Sequence, residues 1–99
     1  MPDAVIIGGG HNALVAAFYL AKGGLKPLVL EGRPGIGGGA ITGEIHPGFR
    51  GPTLSHEVLL HQRITGEMDL ARPGLQLIRS GADVCALAPG GPPLVLYDD

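Results

Sequence analysis

The chain has 99 residues, 44% of them apolar, 16% charged and 4% aromatic, with 18 Gly and 9 Pro. Such a length allows one small domain that buries roughly 60–65% of its unfolded surface, and the absence of Trp makes any core aliphatic. Seven basic and nine acidic residues give a net charge of −2 without a block of like charge, which excludes the basic face of a nucleic-acid binder. The single Cys, Cys85, excludes internal disulfides and a Cys-cluster zinc site, and fits a reducing compartment. The longest apolar run, from Ala13 to Ala21, falls far short of the roughly 20 residues of a membrane span. With no secretory signal pattern before it, the expectation is a soluble, cytoplasmic protein without a transmembrane segment.

Ala4-Val5-Ile6-Ile7 is a short β-branched run ended by three glycines, which reads as a parallel-sheet strand buried on both faces. From His11 to Lys22 the chain holds good helix formers with apolar residues nearly all round, so a buried helix is expected. Gly23-Gly24 supply its C-terminal cap, and Leu28-Val29-Leu30, after Pro27, forms a second buried strand ending at Glu31. Strand, glycine turn, helix and strand make a βαβ unit with a right-handed crossover.

Between Gly32 and Pro52 eight glycines and three prolines predict a structureless loop of functional purpose. A helix is expected next, with Ser55 as N-cap, Glu57 in the first turn and a Leu54–Leu59 staple. Its apolar face would be Leu60, Ile64 and Val58 or Leu59, and Gly66 would end it. Three extended runs follow, Leu75 to Ile78, Val84 to Leu87 and Leu94 to Tyr97, the last two flanking a hairpin loop rich in Pro and Gly. The fold class is therefore α/β: a partial Rossmann-type βαβ unit and Gly-rich loop over residues 1–52, then a helix and short antiparallel strands over 53–99.

Gly8-Gly9-Gly10-His11-Asn12-Ala13 fits the spacing G-x-G-x-x-G/A between a strand and a helix. Gly8 permits the tight turn, Gly10 lets the backbone approach a pyrophosphate, and Ala13 is small enough for close helix–strand packing. The helix N-terminus then presents its free N–H groups, with His11 contributing through its backbone. The plain alternative is a glycine turn without a ligand. Glu31 lies 23 residues after Gly8, where a carboxylate accepts from ribose hydroxyls and repels a 2′-phosphate. The plain alternative there is a solvated acid.

After Glu31 come five residues and then Gly37-Gly38-Gly39-Ala40-Ile41-Thr42. This resembles the E-x5-G-G-R-x-x-[ST] half of the flavin fingerprint of the phytoene desaturase and amine oxidase superfamily. Glu44-Ile45-His46-Pro47-Gly48-Phe49-Arg50 and Asp69-Leu70-Ala71-Arg72-Pro73-Gly74-Leu75 resemble segments of its phytoene dehydrogenase-like branch, which includes pyridine nucleotide-disulfide oxidoreductase domain 2 proteins. The resemblance implies FAD as cofactor, with Gly8, Gly10, His11, Asn12 and Ala13 at the pyrophosphate and Glu31 at the adenosine ribose. It places Gly37, Gly38 and Thr42 along the pyrophosphate and ribityl chain. Arg33 leans over the adenine or pairs with Glu31, or is a solvated surface residue. Gly39 stands where many members have Arg, so any contact from that Arg is absent.

Other candidates carry less. His56 and His61 stand at i, i+5, about 140° apart on a helix, and share no metal-ligand face, so no metal is expected. His46 reads as structural, and Cys85, in an apolar strand, as a small core residue rather than a nucleophile. Members of the resembled family are several times longer, so the segment implies an N-terminal, catalytically incomplete portion of a flavin-dependent oxidoreductase acting on an apolar substrate by hydride transfer. No catalytic residue is identifiable. The alternative is a non-catalytic dinucleotide-binding or assembly module. In either case an unpaired sheet edge and uncovered apolar face imply a homo-oligomer, or association with the remainder of a parent protein.

Overall fold

A computed structural model describes residues 1–53, 60–78 and 84–97. They fall into two units, Met1–Asp69 and Leu70–Asp99. In the first, β1 (Ala4–Ile7), α1 (His11–Lys22) and β2 (Pro27–Leu30) form the expected βαβ unit. The strands pair in parallel, with Ala4 opposite Pro27 and Ile7 opposite Leu30. Asp3 starts this ladder: its N–H donates to the Lys26 carbonyl, and its carboxylate accepts from the Lys26 N–H at 2.8 Å.

The end of α1 follows from its glycines. Gly24, at φ +88°, takes the left-handed position, so the Leu25 N–H donates to the Leu20 carbonyl and the Gly24 N–H to that of Ala21. Those two bonds satisfy carbonyls the helix would otherwise leave without donors.

Neither the strands nor the helix is as buried as expected. Among the described residues no apolar side chain is fully buried, and α1 is half-buried at most of its apolar positions. Side chains on successive strand residues point to opposite faces. Ala4, Ile6, Pro27 and Val29 are half-buried on the helix side. Val5, Ile7, Leu28 and Leu30 form the other face and are 55, 80, 43 and 47% exposed. One helix covers one face, and the sequence pattern of a doubly covered sheet is left half satisfied.

The long loop is a second departure. A 3-10 turn at Gly38–Ala40 leads into β3 (Thr42–His46), which pairs antiparallel with β4 (Phe49–Pro52). Pro47-Gly48 makes the turn: Gly48 sits at φ +82°, which position i+2 of a type II turn requires, behind a proline at i+1. The Glu44 carboxylate accepts from the Gly48 N–H at 2.8 Å and holds that turn closed. A proline and glycine placed together nucleate a hairpin here, although dispersed glycines suggest a loop.

The expected helix is shorter and later. α2 (Gln62–Glu67) has His61 as N-cap, whose Nδ1 accepts from the Arg63 N–H. Leu60 precedes it, and Gly66 lies inside it because Glu67 anchors the final turn. The expected Ser55 cap, Glu57 and the Leu54–Leu59 staple lie outside the described residues. Glu67 accepts from Lys22 of α1 at 2.7 Å and from Arg63. Lys22 Nζ also lies 5.9 Å from the ring centres of Phe18 and Tyr19, within cation–π reach.

In the second unit β5 (Val84–Ala86) and β6 (Leu94–Leu96) form the expected antiparallel hairpin, with Cys85 opposite Val95. Cys85 is exposed. Leu75 to Ile78 form no strand among the described residues, and Leu77 and Ile78 are largely exposed.

The two cations hold the Glu67 carboxyl down to about 2, the Arg63 bond first. A depressed carboxyl stabilises the fold above its ordinary pKa, and that contribution is lost as pH falls through the folded value. Glu67→Gln should therefore lower the melting temperature by a few degrees near neutral pH, and the gap to the parent should narrow from about pH 4.5 downward and close toward about pH 2. Thermal melts of both proteins from pH 7 to about pH 2 check this.

Candidate dinucleotide site

The site begins with the turn between β1 and α1. The Gly8 N–H donates to the Leu30 carbonyl at 2.7 Å, ending the parallel ladder, and Gly8 turns the chain at φ +93°. Gly10 is the N-cap of α1, and no side chain caps that end. The first intrahelical bond runs from the Leu14 N–H to the Gly10 carbonyl. The N–H groups of His11, Asn12 and Ala13 are thus left without helical partners at the positive end of the helix dipole.

Glu31, at the end of β2, folds back onto this turn. Its Oε2 accepts from the Gly9 N–H at 2.7 Å, and its Oε1 from the Arg33 N–H at 2.9 Å. These bonds, the Gly9 one first, hold its carboxyl below the usual carboxylate range. The acid remains charged at neutral pH, with one lone pair left on each oxygen.

The glycine loop closes the other side. The Gly37 N–H donates to the Gly9 carbonyl at 2.7 Å, and Gly10 and Gly37 form a single parallel bridge. A Cβ on Gly38 would lie 2.9 Å from the Cα of Gly10, and Gly38 also sits at φ +60°. One on Gly37, at φ +125°, would meet Ile41 at 3.0 Å. Both glycines are therefore required by the fold itself.

Turn, strand end and glycine loop enclose an open groove of about 580 Å³. Gly8, Gly10 and Glu31, named from the motif spacing, line it together with Gly38, named from the resemblance, and Arg33. His11, Asn12, Ala13, Gly37 and Thr42 are not among its walls. His11, Asn12 and Ala13 lie at the helix end, Gly37 acts through its backbone, and Thr42 stands in β3, paired with Pro52.

Three lining residues escaped the sequence reading: Gly35, Gly39 and Thr53. Thr53 arrives through the β3–β4 hairpin, and its hydroxyl donates to the Ile41 carbonyl at 2.7 Å. The signal that could have found it is Pro47-Gly48, because a hairpin there returns the chain beside Ile41.

The groove fits a pyrophosphate-bearing ligand on one decisive point. Gly10 has φ −73°, open to any residue, and a Cβ there would meet no protein atom closer than 3.9 Å. Neither backbone conformation nor packing requires a glycine at that position. Its missing side chain leaves room in the groove, beside the uncapped helix end. Among the described residues no three His, Cys, Asp or Glu side chains gather as a metal site, and no helix is long and apolar enough to cross a membrane.

Residues 6–66 match the family described as NAD(P)-binding Rossmann-like domain, and the chain belongs to that family. It is 47% identical over 76 residues to pyridine nucleotide-disulfide oxidoreductase domain-containing protein 2 of Mus musculus, and shares the same identity with that of Rattus norvegicus. In each comparison 76% of this chain is covered and 13% of the relative, so the match spans about an eighth of those relatives. A thiamine thiazole synthase of Saccharolobus islandicus is 58% identical over 43 residues, covering 39% of this chain and 16% of that protein. No solved structure matches.

Glu31 ties the turn to β2 through two acceptor oxygens, whereas a glutamine offers one. In Glu31→Gln the amide hydrogens of Gly9 or Arg33 should exchange roughly tenfold faster while those of β1 and β2 change little. Amide exchange followed by NMR checks it. The parent's protection at Gly9 should itself fall as pH drops through the lowered Glu31 value.

Proposed function

We propose that this chain holds the ADP half of FAD and forms the N-terminal cofactor-binding portion of a phytoene dehydrogenase-like, flavin-dependent oxidoreductase. The observation that carries the reading is the side-chain-free cradle at Gly10, facing the groove beside an uncapped helix N-terminus. Gly8 and Gly10, with the backbone N–H groups of His11, Asn12 and Ala13, take the pyrophosphate. Glu31 accepts from the adenosine ribose, and Arg33 lies beside it along the adenine end. Gly37 and Gly38 shape the loop that follows the ligand past the pyrophosphate, and Thr42 starts the strand that continues it. Similarity to a pyridine nucleotide-disulfide oxidoreductase domain-containing protein supports an oxidoreductase.

A bound flavin supplies hydride acceptance from an apolar substrate. The residues here bind and orient its nucleotide end; none is placed as a catalytic acid or base, and the isolated chain is expected to be inactive.

Glu31, ionised at neutral pH, opposes a 2′-phosphate. ADP should therefore bind roughly five- to tenfold tighter than 2′-phospho-ADP. In the same titration Gly10→Ala should weaken ADP binding by roughly tenfold or more while Gly66→Ala leaves it unchanged. Gly66 is the suitable control, since it lies in α2 outside the groove walls and an added Cβ there meets open space at an ordinary φ, whereas Gly35 lines the groove and Gly48 needs its left-handed turn. Tighter binding of the phosphorylated ligand, or an indifferent Gly10→Ala, overturns the reading.

The exposed face of Val5, Ile7, Leu28 and Leu30 supports association with a second copy of the chain, or with the remainder of a longer protein. Sedimentation equilibrium at low micromolar concentration should show a dimer or larger species, and Ile7→Lys should shift it toward monomer. A monodisperse parent monomer overturns the association.

A further inference from the structure

We infer that Thr53 is a ligand-selecting residue of the groove, accepting a hydrogen bond from a sugar or polyol hydroxyl beyond the pyrophosphate. The inference rests on the dinucleotide reading above and deepens it. Thr53 lines the same groove as Gly8, Gly10, Glu31, Gly38 and Gly39.

A threonine hydroxyl has one proton to donate and two lone pairs that accept. The Thr53 proton is committed to the Ile41 carbonyl at 2.7 Å, and the Thr53 N–H donates to that same carbonyl at 3.1 Å. Its oxygen therefore offers the groove acceptors only. A phosphate oxygen, itself an acceptor, gains nothing from it; a hydroxyl does. Glu31, which lines the same groove, has the same acceptor character, so the groove carries two hydroxyl-seeking groups beside the uncapped end of α1, whose free N–H groups are the anion-binding element. A ligand with a hydroxylated sugar on each side of a pyrophosphate satisfies all three.

The test compares ADP, which ends at the pyrophosphate, with ADP-ribose, which carries a second ribose beyond it. Both are titrated calorimetrically into the full chain and into Thr53→Val and Thr53→Ser. The parent and Thr53→Ser should favour ADP-ribose by roughly fivefold, and Thr53→Val should lose that preference while keeping its affinity for ADP. Affinity for ADP in the same variant reports that the groove is still formed. If the parent binds neither nucleotide, the dinucleotide reading falls and this inference with it. If the parent binds ADP but Thr53→Val keeps the preference, or weakens both ligands equally, Thr53 selects nothing and only this inference falls. Should Thr53→Val not fold, the parent's Thr53 methyl resonance decides: it should move on adding ADP-ribose and not ADP, and an unresponsive methyl overturns the assignment.

Discussion

The organisation of the first unit depends on where one carboxylate puts its two oxygens. Glu31 leaves β2 and accepts from the N–H of Gly9 on one side and of Arg33 on the other. The first bond fastens the glycine turn to the neighbouring strand, and the second bends the chain out of that strand. Charge-assisted bonds of this type are the stronger class of hydrogen bond. Gly9 is the one described residue that is fully buried, and an added Cβ there would press on Ile36 and on Glu31 itself. A small residue at the middle position of the turn is thus needed for the acid to reach the backbone at all. The same two oxygens that form the fold carry the negative charge that the proposed discrimination against a 2′-phosphate would use.

Much of this was legible in the residues. The βαβ unit follows from a β-branched run, a glycine turn, a breaker-free stretch and a second apolar run, because each element imposes its own local period. The Gly24 cap and the β5–β6 hairpin follow similarly from turn chemistry. What stayed hidden depends on partners distant in sequence. Composition alone made residues 32–52 look unstructured, yet the Pro47-Gly48 turn and the Glu44 bond bring two glycine-bearing strands together. α2 is held by Glu67, which pairs with Arg63 one turn back and with Lys22 on another helix, and that second partner is marked by no local pattern. The apolar run of Val5 and Ile7 indicated burial on both faces, although nothing in four residues states what covers the second.

The candidate site shows the same division. Gly8, Gly10 and Glu31 could be named because their spacing encodes a mechanism, and Gly38 was placed by the resemblance of its loop. Thr42 was named from that resemblance, yet in the fold it starts a strand, and the threonine that reaches the groove is Thr53, paired through the hairpin with Ile41. A spacing specifies a position along the chain; a register shows which neighbour shares the space.

The Gly10–Gly37 bridge has a thermodynamic consequence. It sets the glycine loop against the turn as a one-residue third strand, and Gly8, Gly10, Gly38 and Gly39 line the groove with main chain. Glycine has no rotamers to lose, and loop and turn are already fixed by hydrogen bonds to each other. A molecule binding against them freezes few torsions of its host there. The entropic penalty that weakens most small polar sites is met during folding, before any ligand arrives.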